Sequence, residues 1–241
     1  MAQRGSRHLT RRITTVGFDA DDTLWQNERF YRAAQDRFTQ LLAEHAGAGQ
    51  LSERLHEAER RNLGRYGFGI KGFVLSMIET ALEVTGNRVE GRVIREVIAA
   101  GHEMLAHPVE LLPHARDAVE ALAGTHRLVL VTKGDLLDQQ RKLALSGLGD
   151  LFAAVEIVSD KTESTYRQVF ARHGDGADRA LMVGNSMRSD VLPAIHAGAH
   201  GVHVPHALTW SYENADPPGT DEHFHLIHDL AALPPLVDAI G

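Results

Sequence analysis

The chain has 241 residues, of which 43% are hydrophobic and 24% are charged, as is ordinary for a globular protein with a sizeable buried core. Its formal net charge of −7 argues against a nucleic-acid-binding surface, and no apolar run is long enough to span a bilayer. The absence of cysteine excludes disulfides and thiolate catalysis. We therefore expect a soluble, cytoplasmic protein that binds neither nucleic acid nor membrane.

The chain begins with a basic segment. Its first twelve residues contain no acidic side chain and four arginines, Arg4, Arg7, Arg11 and Arg12. Because no apolar segment follows, the pattern does not fit a secretory signal, and we interpret these residues as a solvated terminal arm.

The first predicted strand covers residues 13–18 and is followed at once by Asp19, Asp21 and Asp22. Like charges this close repel each other, and a surface turn does not need three of them. The cluster therefore indicates a site that binds a cation. For Asp22 we favour a solvated or turn-stabilising role, because aspartate readily hydrogen-bonds its own backbone.

The interval from residue 27 to residue 107 contains no strand candidate and is too long for a plain loop in a compact domain. Apolar residues spaced by three and four positions predict three helices in it, near residues 30–42, 74–82 and 93–105. We therefore predict a helical domain at 27–107, inserted into a core domain formed by residues 1–26 and 108–241.

The stretch "RYGFGIKGF" within this insertion has two interpretations. Its three glycines allow sharp backbone turns, and it carries basic and aromatic side chains. It is either a loop that reaches over the site, with Arg65 and Lys71 as substrate-binding side chains, or a flexible turn between two helices.

After residue 107, short aliphatic runs alternate with amphipathic segments. The pattern predicts helices at 135–147, with Asp135 as cap and Gly147 as stop, and at 162–174. The aliphatic runs are continuous, as in strands buried on both faces, so we predict an α/β fold with a parallel sheet covered by helices on both sides. These strands are predicted at residues 128–131, 155–158, 181–183 and 201–204.

In an open parallel sheet, ligands bind at the carboxyl ends of the strands, so the residues that follow each strand are the candidates for a site. A divalent cation and a lysine there would neutralise the carboxylates, and a phosphate could then join them. The candidates are acids, hydroxyls, lysines and an amide: Asp19, Asp21, Thr23, Thr132, Lys133, Gly134, Lys161, Asn185, Ser186, Ser189 and Asp190.

The paired aspartates after the first strand fit phosphoryl transfer. The Asp19 carboxylate could attack phosphorus and form an acyl phosphate. Asp21 could protonate the leaving oxygen and later activate water. Mg²⁺, which prefers oxygen ligands, would be held by Asp19, the carbonyl of Asp21 and the loop that contains Asn185 and Asp190.

Two other loops supply groups that suit a phosphate. The hydroxyl of Thr132 and the amides beside it, at Lys133 and Gly134, could hydrogen-bond the phosphoryl oxygens. Lys161 would add a fixed positive charge; without its position after a strand it would be an ordinary surface residue.

Four segments in this order, "DADDTL", "VLVTKG", "SDKTE" and "GNSMRSD", together resemble the motifs of the haloacid dehalogenase-like hydrolase superfamily over about residues 13–205. The resemblance implies a Rossmann-like, doubly wound core and a helical C1-type cap that selects the substrate. It also implies a Mg²⁺-dependent phosphatase acting on a small phosphorylated metabolite. In that chemistry Asp19 is the nucleophile, Asp21 the acid and base, Thr132 and Lys161 bind phosphate, and the fourth motif holds the metal.

Asn185 departs from this pattern, because phosphatases of the family usually carry an acid there. An amide oxygen can still ligate Mg²⁺, but one negative charge is lost, so we expect weaker metal binding. This leaves open a catalytically weak phosphate-binding or regulatory protein. A metal-free dehalogenase is a third hypothesis, which we favour less because that branch lacks the second aspartate of the first motif, present here as Asp21.

Some residues have structural interpretations. Asp190 could cap the helix that follows it, and this role is compatible with metal binding. Histidines near the end of the chain lack a consistent ligand geometry, and we interpret them as structural. The sequence does not fix the substrate or the oligomeric state; a homodimer is compatible with it. The histidines are His200, His203, His206, His223, His225 and His228.

Overall fold

The computed structural model describes residues 12–240, in which six parallel strands form one sheet with the order β3-β2-β1-β4-β5-β6. This order confirms the predicted Rossmann-like fold, and it reverses direction between β1 and β4, where such sheets bind ligands. Apart from Arg12, the predicted basic arm lies outside the described residues. The strands are Thr15–Phe18 (β1), Arg127–Lys133 (β2), Ala154–Val158 (β3), Ala180–Gly184 (β4), His200–His203 (β5) and Phe224–Leu226 (β6).

Between β1 and β2 the chain forms a helical insertion with its own hydrophobic cluster, which includes Phe38, Leu55, Met77 and Val97. This separate cluster favours the predicted domain division, which stays a prediction. The insertion contains four helices in place of the three predicted: Glu28–Leu41 (α1), Ala48–Tyr66 (α2), Ile70–Val84 (α3) and Gly91–Ala106 (α4).

The unpredicted helix α2 is rich in charged residues, so its apolar spacing is sparse. The side chains it buries are Leu51, Leu55, Ala58 and the polar Asn62. Packing against α3, rather than a strong apolar pattern of its own, therefore stabilises this helix.

Both faces of the sheet are covered, as the continuous apolar runs predicted. In β2, Leu128 and Leu130 pack in one layer with the helices Ala115–Ala123 and Leu233–Ile240, whereas Val129 and Val131 pack in the other layer with the helices Glu163–His173 and Leu192–His196. The strand β6 extends the sheet where no strand was expected. The remaining helices are Ala115–Ala123 (α5), Leu136–Ser146 (α6), Glu163–His173 (α7), Leu192–His196 (α8) and Leu233–Ile240 (α9).

Within residues 12–240, none of the helices combines the length and the apolar character that crossing a membrane requires.

Candidate active site

A cavity of about 170 Å³ lies at the carboxyl ends of the central strands, between the sheet and helices α1, α2 and α3 of the insertion. Segments far apart in sequence meet here because parallel strands end at the same edge of the sheet. Most of the residues that the sequence assigns to a site line this cavity: Asp19, Asp21, Thr132, Lys133, Gly134, Lys161, Asn185, Ser186, Ser189 and Asp190.

Two buried carboxylates share one ammonium group at the base of the cavity. Lys161 Nζ donates to Oδ1 of Asp19 and, at 2.7 Å, to Oδ1 of Asp190. Burial and the Asp190 carboxylate raise the pKa of Asp19 to about 7, although Lys161 opposes them. Burial alone would lower the pKa of Lys161, but the two carboxylates raise it above its usual value. One ammonium group therefore faces two carboxylates, and the base of the cavity has too little positive charge to balance them.

The Thr23 side chain lies between Asp19 and Asn185 and contacts both. The Thr23 hydroxyl lies 2.9 Å from Oδ2 of Asp19 and 3.4 Å from Oδ1 of Asn185, and it accepts a hydrogen bond from the Asn185 N–H at 3.0 Å. A carboxylate oxygen and an amide oxygen thus both lie close to the Thr23 hydroxyl. Both are the hard oxygen ligands that Mg²⁺ prefers, so the donor chemistry fits this cation.

A cation bound beside these oxygens could not rely on acidic side chains alone. Across residues 12–240, no group of three or more His, Cys, Asp or Glu side chains is arranged to hold a metal ion. Both oxygens of Asp190 are engaged, one by Lys161 Nζ and the other by the Ser186 N–H at 2.9 Å. Amide and carbonyl oxygens and water would have to complete the coordination, as Mg²⁺ tolerates.

The Asp21 carboxylate is held by three donors, one from the turn after β1 and two from α6. Trp25 Nε1 and Gln139 Nε2 each donate to it at 2.7 Å, and Lys142 Nζ lies 3.0 Å from its Oδ1. Gln139 and Lys142 are three residues apart on α6 and so lie on the same face of that helix. Although burial opposes it, the carboxylates of Asp21 and Asp138 raise the pKa of Lys142. Asp21 is therefore oriented toward the cavity by fixed donors.

The end of β2 supplies the predicted phosphate-binding segment. Thr132 is buried, and Gly134 has a φ of 122°, a conformation that favours glycine. Lys133 Nζ donates at 2.8 Å to both Ser189 Oγ and Glu213 Oε1, and it lies 3.9 Å from the centre of the Phe68 ring. Lys133 therefore connects the β2 segment to the β4 loop and to the insertion.

The two basic residues that the sequence predicted to bind substrate from the insertion do not line the cavity. Arg65 is exposed near the end of α2, while Lys71 forms an ion pair with Asp135 at 2.6 Å. This pair draws the Asp135 carboxylate away from α6, so Asp135 occupies the cap position without a capping hydrogen bond. The turn between α2 and α3 does reach over the site, but it presents Phe68 rather than the two basic side chains.

A model of the family described as haloacid dehalogenase-like hydrolase matches residues 13–198, a range that contains all four motifs. The chain belongs to this family. A curated relative, the glyceraldehyde 3-phosphate phosphatase of Methanothermobacter thermautotrophicus, is 24% identical over 82% of this chain and 88% of the relative.

Solved structures agree with this assignment. A haloacid dehalogenase-like family hydrolase from Xanthomonas campestris is 38% identical, with a TM-score of 0.85 over 95% of this chain and 96% of that chain. The L-2-haloacid dehalogenase of Xanthobacter autotrophicus is 18% identical, with a TM-score of 0.64 over 95% and 100% of the two chains. This second likeness shows a shared fold.

In this haloacid dehalogenase-like hydrolase, the sequence interpretation missed Glu213. Its carboxylate accepts hydrogen bonds from Ser186 Oγ, Ser189 Oγ and Lys133 Nζ. Burial alone would raise the pKa of Glu213, but Lys133 and the serine hydroxyls lower it. Glu213 lies in a turn after β5, outside every motif, so no local signal points to it. By contrast, the three-residue spacing of Gln139 and Lys142 in a predicted helix could have indicated that Lys142 shares a helix face with Gln139.

The structure agrees with one of the two roles predicted for Asp22 and differs from the capping role predicted for Asp190. Asp22 is buried rather than solvated, and it stabilises the turn into α1 by accepting the N–H groups of Asn27 and Glu28. The turn before α8 is capped by Ser186, whose side chain accepts the Ser189 N–H, and not by Asp190.

Several of the six histidines form hydrogen bonds with each other or with the backbone. His200 Nδ1 lies 3.0 Å from His225 Nε2, and His203 Nε2 lies 3.0 Å from the carbonyl oxygen of Asn185. These contacts, and the absence of a three-ligand cluster in residues 12–240, favour the structural interpretation.

Proposed function

We propose that this hydrolase cleaves a small phosphomonoester in a Mg²⁺-dependent reaction, with Asp19 as the nucleophile. The observation that carries the proposal is the placement of Asp19: a buried carboxylate at the base of a cavity, beside Lys161 and Asp190 and facing Asp21. The family and the phosphatase relative support the same chemistry.

Two aspartates divide the work of the reaction. An oxygen of Asp19 forms a bond to phosphorus while the bond from phosphorus to the ester oxygen breaks, and Asp21 gives its proton to that leaving oxygen. Asp21 then takes a proton from the water that attacks phosphorus, which releases inorganic phosphate and restores the Asp19 carboxylate. Trp25, Gln139 and Lys142 keep the Asp21 carboxylate in position for both transfers.

The remaining site residues bind and neutralise the phosphoryl group. The Thr132 hydroxyl and the N–H groups at Lys133 and Gly134 donate hydrogen bonds to its oxygens. Lys161 compensates the charge of Asp19, so that an anionic group can approach an anionic nucleophile.

Asp19, the carbonyl of Asp21 and Oδ1 of Asn185 are the groups that would hold Mg²⁺, with Asp190 adding negative charge nearby. When bound, this cation supplies the positive charge that the base of the cavity lacks, and it draws electron density from the phosphoryl oxygens.

The direct test replaces Asp19 by Asn and measures turnover of para-nitrophenyl phosphate with Mg²⁺. We expect turnover to fall to background, because an amide cannot form the acyl phosphate. Asp150→Asn, an exposed residue on the same domain, is the matched control and should keep wild-type turnover. Retained turnover in the Asp19→Asn protein would exclude the mechanism.

The other two hypotheses are decided by the same preparation. A panel of phosphate esters that bind without turnover would favour a phosphate-binding protein, the alternative that Asn185 suggests. If a 2-haloacid releases halide and EDTA does not suppress that release, the result would favour dehalogenation. The Asp21 carboxylate in the cavity argues against this outcome.

A further inference from the structure

The wall of the cavity opposite Asp19 comes from helices α1 and α2 and carries acidic side chains. Glu28 and Glu59 line it together with His56. Glu28 has a partner in Arg32, at 3.1 Å. Among residues 12–240, no hydrogen bond or ion pair joins Glu59 to another side chain.

The cavity as a whole has far more carboxylates than cationic groups. Nine Asp or Glu residues and three lysines line it, and each lysine is already ion-paired with acids at the sheet edge. Those lysines serve Glu213, Asp21 and Asp19. No lysine or arginine among the lining residues therefore remains to neutralise Glu59.

This wall and the side of the cavity across from it also contain hydrogen-bond acceptors without donors. Oδ1 of Asn62, one turn after Glu59 on α2, is buried and has no hydrogen-bond partner, and the same is true of Oε1 of Gln139 across the cavity. His56 Nδ1 donates to the carbonyl of Ser52 at 2.7 Å, because a carbonyl can only accept. In the neutral ring this leaves Nε2 as a further acceptor.

We infer that the substrate is a phosphomonoester whose leaving group carries a protonated amine, and that this amine lies between Glu28 and Glu59. This inference rests on the proposed function and names the substrate class of the same site. An ammonium group brings three donors, no acceptor and one positive charge, and these are the features that the wall lacks. A hydroxyl group would satisfy an acceptor but would leave the excess negative charge in place.

The raised pKa of Glu59 agrees with this geometry. Burial, and then the Glu28 carboxylate, raises the pKa of Glu59 to about 8. A substrate ammonium between the two residues would relieve this repulsion and favour the ionised form of Glu59. A second metal ion is a poorer fit, because Glu28, Glu59 and His56 share the wall but are not arranged to hold one, and no group of three or more His, Cys, Asp or Glu side chains within residues 12–240 is.

The test compares two esters of the same size, 2-aminoethyl phosphate and propyl phosphate, whose leaving group carries no charge, with Mg²⁺. We expect the wild-type protein to have a higher kcat/KM for the aminoethyl ester by about tenfold to a hundredfold, the range for a hydrogen bond to a charged group. Glu59→Gln should remove most of this ratio. Glu57→Gln, an exposed residue on the same helix, should leave both values unchanged.

Failure of this inference differs from failure of the proposed function. Equal kcat/KM values for the two esters in the wild-type protein, or a ratio that survives in Glu59→Gln, would overturn the inference while the phosphatase stands. If neither ester nor para-nitrophenyl phosphate is turned over, the proposed function fails. Calorimetric binding of the two esters to the Asp19→Asn protein then decides the amine preference: tighter aminoethyl phosphate binding supports it, and equal binding overturns it.

Discussion

Asp190 is the residue through which the β4 loop and the nucleophile are joined. Its side chain is almost fully buried, and its two oxygens accept hydrogen bonds from Lys161 Nζ and from the Ser186 N–H. The position depends on Gly184, the last residue of β4. A Cβ atom there would lie 2.2 Å from Oδ2 of Asp190, far inside contact distance. The absence of a side chain at Gly184 therefore leaves the space that the Asp190 carboxylate occupies.

Gly184→Ala should displace Asp190 from Lys161 and leave the Asp19–Lys161 pair incompletely neutralised. We expect the kcat for para-nitrophenyl phosphate to fall by about tenfold or more, and the free energy of unfolding to fall by about 1–3 kcal/mol, as for other overpacked sites. Turnover and chemical denaturation measure the two effects. Gly124→Ala is the control, since a Cβ at Gly124 meets no atom within 4 Å. Equal behaviour of the two variants would contradict the role given to Gly184.

At the scale of elements, the strands were predictable because their burial on both faces leaves continuous aliphatic runs. β1 to β5 lie within three residues of their predicted positions. The helix α2 and the strand β6 were not predictable in the same way. α2 is rich in charged residues, and β6 has three residues, with histidine at its centre. Both elements form because of tertiary packing, and the local sequence pattern carries no signal of that packing.

The edge formed by β5 and β6 holds paired imidazoles that resist protonation. His200 Nδ1 contacts His225 Nε2 at 3.0 Å, and burial, followed by the repulsion of His223 and His225, lowers the pKa of His200 to about 4. Asp221 opposes this shift. The unfolded chain takes up a proton at His200 below its usual pKa, whereas the folded chain does not until about pH 4. His200 therefore lowers the stability of the folded protein as pH falls through this window.

His200→Gln should consequently make the thermal midpoint less sensitive to acid. We expect the fall in Tm between about pH 7.5 and about pH 5.5 to be smaller in this variant than in the wild-type protein, because one proton-uptake site of the unfolded state is removed. Thermal unfolding followed by circular dichroism measures both. His102→Gln, an exposed position on α4, should keep the wild-type pH dependence. An identical loss of Tm in His200→Gln and the wild type would show that His200 titrates normally.

At the scale of the whole molecule, the cavity is formed jointly by the sheet and the helical insertion. The turn between α2 and α3 brings Phe68 over Lys133, and Lys71 pairs with Asp135 across the same boundary. The motifs predicted the sheet side of the site, because each motif follows a strand and the topology then brings them together. The insertion side was not predictable in this way. Arg65 and Lys71 have the right charge but lie outside the lining, while Glu59 and Glu213 carry no motif.

The central claim is that a carboxylate, and specifically that of Asp19, receives the phosphoryl group. The most direct measurement mixes the protein with Mg²⁺ and para-nitrophenyl phosphate, stops the reaction in acid within the first turnovers, and maps the modified peptide by mass spectrometry. We predict one added phosphoryl group on Asp19, and none in Asp19→Asn. Phosphate release with Asp19 unmodified, or a phosphoryl group on another residue, would contradict the account.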